Sequence, residues 1–217
     1  MIPLLDNYTS LVATVSHNAQ TARQSIPEVL AASKAQSSEN LETLLAYGHR
    51  LFGENQVQEA AAKWPLLKQR YPDCQLHLIG PLQTNKVKQA VQLFDVIETL
   101  DRPTLAHALA KTFAKFNIRR TLLIQVNTGS EPQKAGVLPE EFESLLALAR
   151  GLNLPVVGLM CVPPIDADPS PHFAMLQTLA KAHSLSYLSM GMSHDYQTAI
   201  AYGTSWIRVG TALFGAR

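Results

Sequence analysis

Short apolar or β-branched runs alternate along the chain with longer stretches whose apolar positions recur every three or four residues. The first pattern is that of a buried strand and the second that of an amphipathic helix. After a long amphipathic stretch from about Leu4 to Gln24, strands are predicted at 29–33, 50–53, 76–80, 94–98, 121–127, 156–160, 184–189 and 206–210. Helices are predicted between them at 38–48, 56–70, 84–92, 102–116, 139–150, 170–183 and 194–202, with Leu105, Leu109 and Phe113 showing the spacing. Eight strands alternating with helices favour a parallel sheet, and 217 residues fit closure into a (β/α)8, or TIM, barrel slightly under the usual length of ~250. The N-terminal helix would fill the outer-ring place for which no residues remain after strand eight. An open doubly wound sheet is the rival topology; no Gly-x-Gly-x-x-Gly follows the first strand to support its dinucleotide-binding form. No linker, repeat or low-complexity segment divides the chain, so residues 1–217 read as one domain.

Composition narrows the partners. Lysine and arginine number 18 against 17 aspartate and glutamate, a formal charge of +1, and no field exists to hold nucleic acid or an anionic membrane surface. Cys74 and Cys161 stand apart without a CxxC spacing and read as buried reduced thiols. The first residues lack a basic segment followed by an apolar run, and no stretch approaches the roughly 18 apolar residues of a membrane span. The expectation is a cytoplasmic protein.

The unusual residues collect at the last position of each predicted strand or just after it, which in a barrel is the functional face. Strand one leads into Ser33-Lys34, strand two into Glu54-Asn55, strand three into Gly80-Pro81 and onward to Lys86. Lys34 has its backbone tied to a buried strand and its amine at the mouth, a position suited to a Schiff base once burial or a neighbouring cation frees the nucleophile; the competing reading is a solvated loop lysine. Ser193 reads as the N-cap of a helix opened by His194, after a flexible Met190-Gly191-Met192 turn with free amides, and Gly210-Thr211 offers further amides and a hydroxyl. Barrels frequently hold phosphate between the loops after strands seven and eight, although ordinary capping accounts for each motif alone. Arg208, inside an apolar strand, needs either an internal ion pair or a ligand acceptor. Lys134 lies in a polar loop, 127–136, expected over the mouth, either as a second amine or as a solvated lysine. His77 reads as a core histidine with no acidic partner specified nearby, and no carboxylate pair or metal-ligand set stands out.

Together these stretches resemble the pyridoxal phosphate homeostasis proteins, from strand one to the C-terminus. The resemblance rests on Leu30-Ala31-Ala32-Ser33-Lys34, on Phe52 to Glu59, on His77 to Lys86, on Val126-Asn127 through Gly136, and most strongly on Leu188 to Asp195 with Ile207-Arg208-Val209-Gly210. It implies a barrel similar to the N-terminal domain of alanine racemases, of fold type III, holding pyridoxal 5′-phosphate (PLP) as an aldimine on Lys34. It further implies that Ser193, Gly210 and Thr211 hold the phosphate, that Arg208 approaches the pyridine nitrogen, and that Asn55 and Met190 line the ring. A permanently charged guanidinium there discourages protonation of the ring and weakens it as an electron sink, so the family likeness implies a carrier without catalytic residues. PLP-dependent apo-enzymes would be transient partners, amino-acid and keto-acid balance would be affected, and the absent racemase second domain favours a monomer. An alanine racemase-like isomerase, a regulatory protein merely stabilised by PLP, and a lysine-dependent aldolase are the alternatives. Ala35-Gln36-Ser37 stands where the family usually has threonine and then proline, and Leu76 where tryptophan is usual.

Overall fold

In the computed structural model, which describes residues 3–215, each strand pairs in parallel with the next in the chain and the last returns to the first. The strands are β1 (Glu28–Ala32), β2 (Leu51–Glu54), β3 (Gln75–Leu78), β4 (Val96–Leu100), β5 (Thr121–Val126), β6 (Val156–Cys161), β7 (Tyr187–Met192) and β8 (Trp206–Val209). Around them lie α1 (Pro3–Thr21), α2 (Ser38–Tyr47), α3 (Val57–Arg70), α4 (Val87–Leu93), α5 (Pro103–Phe116), α6 (Phe142–Gly151), α7 (Ser170–Ala182), α8 (Tyr196–Ala201) and α9 (Thr211–Phe214). The eight-stranded closed barrel is the expected architecture, and the open sheet is excluded by the pairing of β1 with β8.

Strand side chains alternate between two apolar layers. Leu30, Leu51, Val96, Leu123, Met160 and Trp206 fill the barrel interior, while Ala31, Phe52, Leu76, Ile97, Ile124, Leu159 and Val209 pack with the helices in the larger outer layer. Among the described residues no helix is long and apolar enough to cross a membrane.

Several boundaries differ from the sequence reading. The first helix ends at Thr21, not Gln24, because Arg23 turns left-handed (φ 54°) and the Gln24 amide donates back to the Ala19 carbonyl. A short helix, α9, does follow β8, and α1 packs against both it and α8, with Asn7 Nδ2 donating to the Leu213 carbonyl at 3.1 Å. β7 begins at Tyr187 instead of Ser184, since Ser184 (φ 55°) and the Leu185 amide close the end of α7. Phe94 likewise caps α4, which shifts β4 toward Leu100.

At the opposite end of the barrel from the strand C-termini, α1 meets the start of β2 over a groove of about 330 Å³. His49 is buried there with a 2.7 Å hydrogen bond between Nε2 and the Leu51 carbonyl, and the Tyr8 hydroxyl lies 3.2 Å from Nδ1. A neutral ring donates through Nε2 and accepts from Tyr8, satisfying both contacts. Burial above all, aided by the Arg50 charge and opposed by the Leu51 bond, lowers its pKa to about 4 from 6.5. Between these values the unfolded chain binds the proton and the folded chain does not, so stability falls as pH drops through that window, by about 3 kcal/mol in all. Urea unfolding at neutral pH and near pH 4 should show that His49→Gln lacks about this much of the acid loss; an identical acid loss in both proteins would refute the assignment.

Candidate functional site

The end of β1 carries the candidate lysine. Ser33 extends the pairing by one residue, its amide donating to the Gly53 carbonyl at 2.8 Å, and Lys34 follows with an exposed side chain. On one side β8 runs alongside with Leu30 opposite Arg208 and Ala31 opposite Val209, so Gly210 comes to lie beside Ala32; a Cβ at Gly210 would sit 3.5 Å from the Ala32 carbonyl oxygen. On the other side Ala32 faces Gly53, which places half-buried Asn55 at the adjoining strand end. Asn55 borders a cleft of about 380 Å³ whose polar lining includes Gln56, Gln58, Gln83 and Lys86. Gly80 makes that junction possible, because a Cβ there would fall 2.1 Å from the Asn55 carbonyl oxygen.

Ser193 follows β7 but is not a helix cap. The N-cap of α8 is Asp195, buried, whose Oδ1 accepts from the Met192 amide at 2.6 Å. This bond folds the intervening turn and leaves Ser193 Oγ near α9, 3.4 Å from the Ala212 amide. Met190-Gly191-Met192 is strand and not a turn; Gly191 adopts φ 92° where a Cβ would strike Ala199 and Tyr196 of α8. The Met190 side chain packs in the outer layer, so only its backbone is available to the barrel side. Thus Lys34, Asn55, Ser193, Gly210 and Thr211 lie at the ends of four neighbouring strands, β7, β8, β1 and β2, with Arg208 one layer deeper, and the Met190 side chain packs away from them.

Arg208 is buried and, among the described residues, makes no direct ion pair. Nη1 donates to Ser189 Oγ and Nη2 to the Cys161 carbonyl, each at 2.7 Å. Ser189 Oγ in turn donates to Glu98 Oε2 at 2.5 Å, and Glu98 Oε1 lies 2.6 Å from His77 Nδ1. A polar column therefore crosses the barrel from β8 through β7 and β4 to β3. His77 does have an acidic partner, contrary to the sequence reading, because β3 and β4 are neighbours and put Glu98 beside it. Glu98 and Ser189 were not singled out from sequence; the signal available was a carboxylate inside the apolar run of β4. Cys161 is buried as expected, and that burial pushes its thiol up to about 12 despite the nearby Arg208 charge.

The loop 127–136 is anchored to the end of β5: the Val137 amide donates to the Gln125 carbonyl and the Asn127 amide to the Val137 carbonyl. Lys134 pairs with Glu131 at 2.6 Å and donates to the Pro163 carbonyl at 3.0 Å, so its amine staples this loop. Of the departures from the family pattern, Ser37 caps α2 by accepting from the Asn40 amide, and Leu76 lies in the outer layer. Chemically, the mouth joins a primary amine to hydroxyls, backbone amides at a helix start and a buried cation, a set suited to an anionic carbonyl compound.

Residues 12–217 match the family described as alanine racemase, N-terminal domain. A pyridoxal phosphate homeostasis protein of Aquifex aeolicus is 40% identical over 88% of this chain and 87% of its own length. One from Vibrio cholerae is 35% identical over 98% and 94%. Among solved structures, PipY of Synechococcus elongatus with PLP bound superposes with a TM-score of 0.83 at 31% identity, covering 98% of this chain and 100% of that one. An alanine racemase from Bartonella henselae with covalently bound pyridoxal phosphate shares the fold at TM-score 0.73 and 18% identity, over 98% of this chain and 58% of the racemase.

Proposed function

This chain belongs to the pyridoxal phosphate homeostasis proteins, within the alanine racemase N-terminal domain family, and from that premise we propose that it carries PLP reversibly on Lys34 as a buffering and delivery protein. The observation that supports this most is the meeting of Lys34 with Gly210, Thr211 and Ser193 at adjoining strand ends above a buried arginine. When bound, PLP supplies an aldehyde that a lysine amine captures with loss of water and that a second amine can release.

The residues present fit such a group. Ser193 and Thr211 hydroxyls and the first amides of α9, which have no intrahelical acceptor, would hold the phosphate. Arg208 would face the pyridine nitrogen, Asn55 would flank the ring, and Met190 would contribute its backbone. Arg208 donates at both Nη1 and Nη2 into the protein and is a donor only, so it offers the ring no proton acceptor and no acidic partner. That argues for carriage without turnover; a cytoplasmic monomer that meets PLP-dependent apo-enzymes transiently completes the proposal.

The test has two parts. Borohydride reduction of the PLP-loaded protein followed by peptide mass spectrometry should locate the modification at Lys34. In a separate, unreduced sample, activation of an added apo-enzyme should outpace release of PLP into buffer. Transfer no faster than release would remove the delivery role, and alanine racemisation above the rate given by free PLP would replace the carrier reading with an isomerase.

A further inference from the structure

We propose that Glu59 and Lys63, one turn apart on α3, are positioning residues that bracket Lys34 and fix the direction in which its amine is presented. The proposal rests on the reading of Lys34 as the lysine that captures PLP. Lys34 lies past the end of β1 with an exposed side chain, a place where backbone ordinarily moves. Yet the two peptide planes that flank its α-carbon are both held by α3. The Ser33 carbonyl accepts from Lys63 Nζ at 3.0 Å, and the Ala35 amide donates to Glu59 Oε1 at 2.5 Å. Holding both planes fixes φ and ψ of Lys34, the two soft torsions from which its side chain departs.

The bracket is itself anchored. Glu59 and Lys63 pair at 2.8 Å in the favourable i,i+4 order, and Lys63 also pairs at 2.8 Å with fully buried Glu54. Glu54 Oε1 accepts from Ser33 Oγ at 2.7 Å and from Trp64 Nε1 at 3.0 Å. The carboxylate of β2 thus links the end of β1 to α3. Ala35 meanwhile adopts φ 58°, an unfavourable conformation for a residue with a Cβ, and the hydrogen bond from its backbone N–H to Glu59 holds it there. A merely stabilising ion pair would need no contact with the backbone on both sides of one residue.

The experiment compares two ligands on the purified full chain: PLP, and pyridoxine 5′-phosphate, whose alcohol replaces the aldehyde. The second keeps the phosphate and ring contacts but cannot be captured by an amine. Glu59→Ala should slow borohydride-fixable attachment of PLP and weaken its binding about tenfold, while pyridoxine 5′-phosphate binding stays within about twofold. Glu59→Gln, which keeps an acceptor for the Ala35 amide, should restore most of the attachment rate. Lys63→Met should resemble Glu59→Ala in ligand discrimination, with the melting temperature of each variant recorded beside it. Equal weakening for both ligands, or unchanged attachment in Glu59→Ala, would overturn the proposal. Wild-type chain that attaches no PLP would overturn the reading of Lys34 and the bracket with it.

Discussion

Lys34→Ala should abolish borohydride-fixable attachment of PLP and weaken its binding roughly a hundredfold, about 3 kcal/mol. The loss is large because the covalent link between amine and aldehyde goes, and only non-covalent contacts are left to hold the ligand. The phosphate contacts proposed for Ser193, Gly210 and Thr211 and the ring contact proposed for Arg208 would remain, so residual binding is expected, not none. Lys34→Arg separates the two properties of the side chain: it keeps a positive charge at the mouth but offers a guanidinium that is not a nucleophile at neutral pH. It should therefore lose attachment as completely as the alanine variant. Absorbance titration with PLP, with and without reduction, measures both quantities. Attachment persisting at another lysine, with Lys134 the one to watch, would transfer the role away from Lys34.

Glu98→Leu should lower folding stability by about 3–5 kcal/mol, because it removes the only carboxylate in the column that crosses the barrel. His77, Ser189 and Arg208 are buried, and each reaches Glu98 directly or through one hydroxyl. Deleting the acceptor leaves a buried guanidinium without the negative charge that offsets its desolvation, and it strands the Ser189 hydroxyl proton and a nitrogen of His77. Glu98→Gln should cost less, since one oxygen still accepts while the amide nitrogen opposes a donor. Domains of this size are stable by only about 5–15 kcal/mol, so urea midpoints should separate the three proteins clearly. A Glu98→Leu loss below about 1 kcal/mol would show that Arg208 is satisfied by the Cys161 carbonyl and its surroundings alone.

The parts of the molecule that depend on near neighbours were legible in the sequence. Alternating strand and helix patterns favour the barrel over an open sheet, which the pairing of β1 with β8 excludes, and the polar residues after each strand give the face at which Lys34, Asn55, Ser193, Gly210 and Thr211 lie. These are local properties: a run of apolar residues reports burial, and the residue that ends it reports where the chain leaves the core. The alternation also placed Arg208 in the buried strand. It could not place the Met190 side chain, because which layer a strand residue faces depends on the phase of β7, and Gly191 at positive φ interrupts that phase. Nor could it show that Asp195 rather than Ser193 stands at the N-cap position of α8, since both residues suit it; in the fold the Asp195 carboxylate turns back to the Met192 amide and makes no side-chain cap bond.

What the sequence determined by itself was therefore the number of strands, their places along the chain and the strand ends that carry the chemistry, because each follows from the solvation of a few adjacent residues. Only the tertiary structure decided which buried polar groups meet. Ser189 and Glu98 are 91 positions apart and touch across the barrel only once β8 has closed on β1 and the register of every intervening strand is set. Lys63 and Glu59 look like an ordinary surface pair on an amphipathic helix until α3 packs on β2 and brings them to the residues just after β1, where they face the peptide groups on either side of Lys34. Burial is written in local pattern, but the partner of a buried charge is chosen by closure, which no local stretch contains.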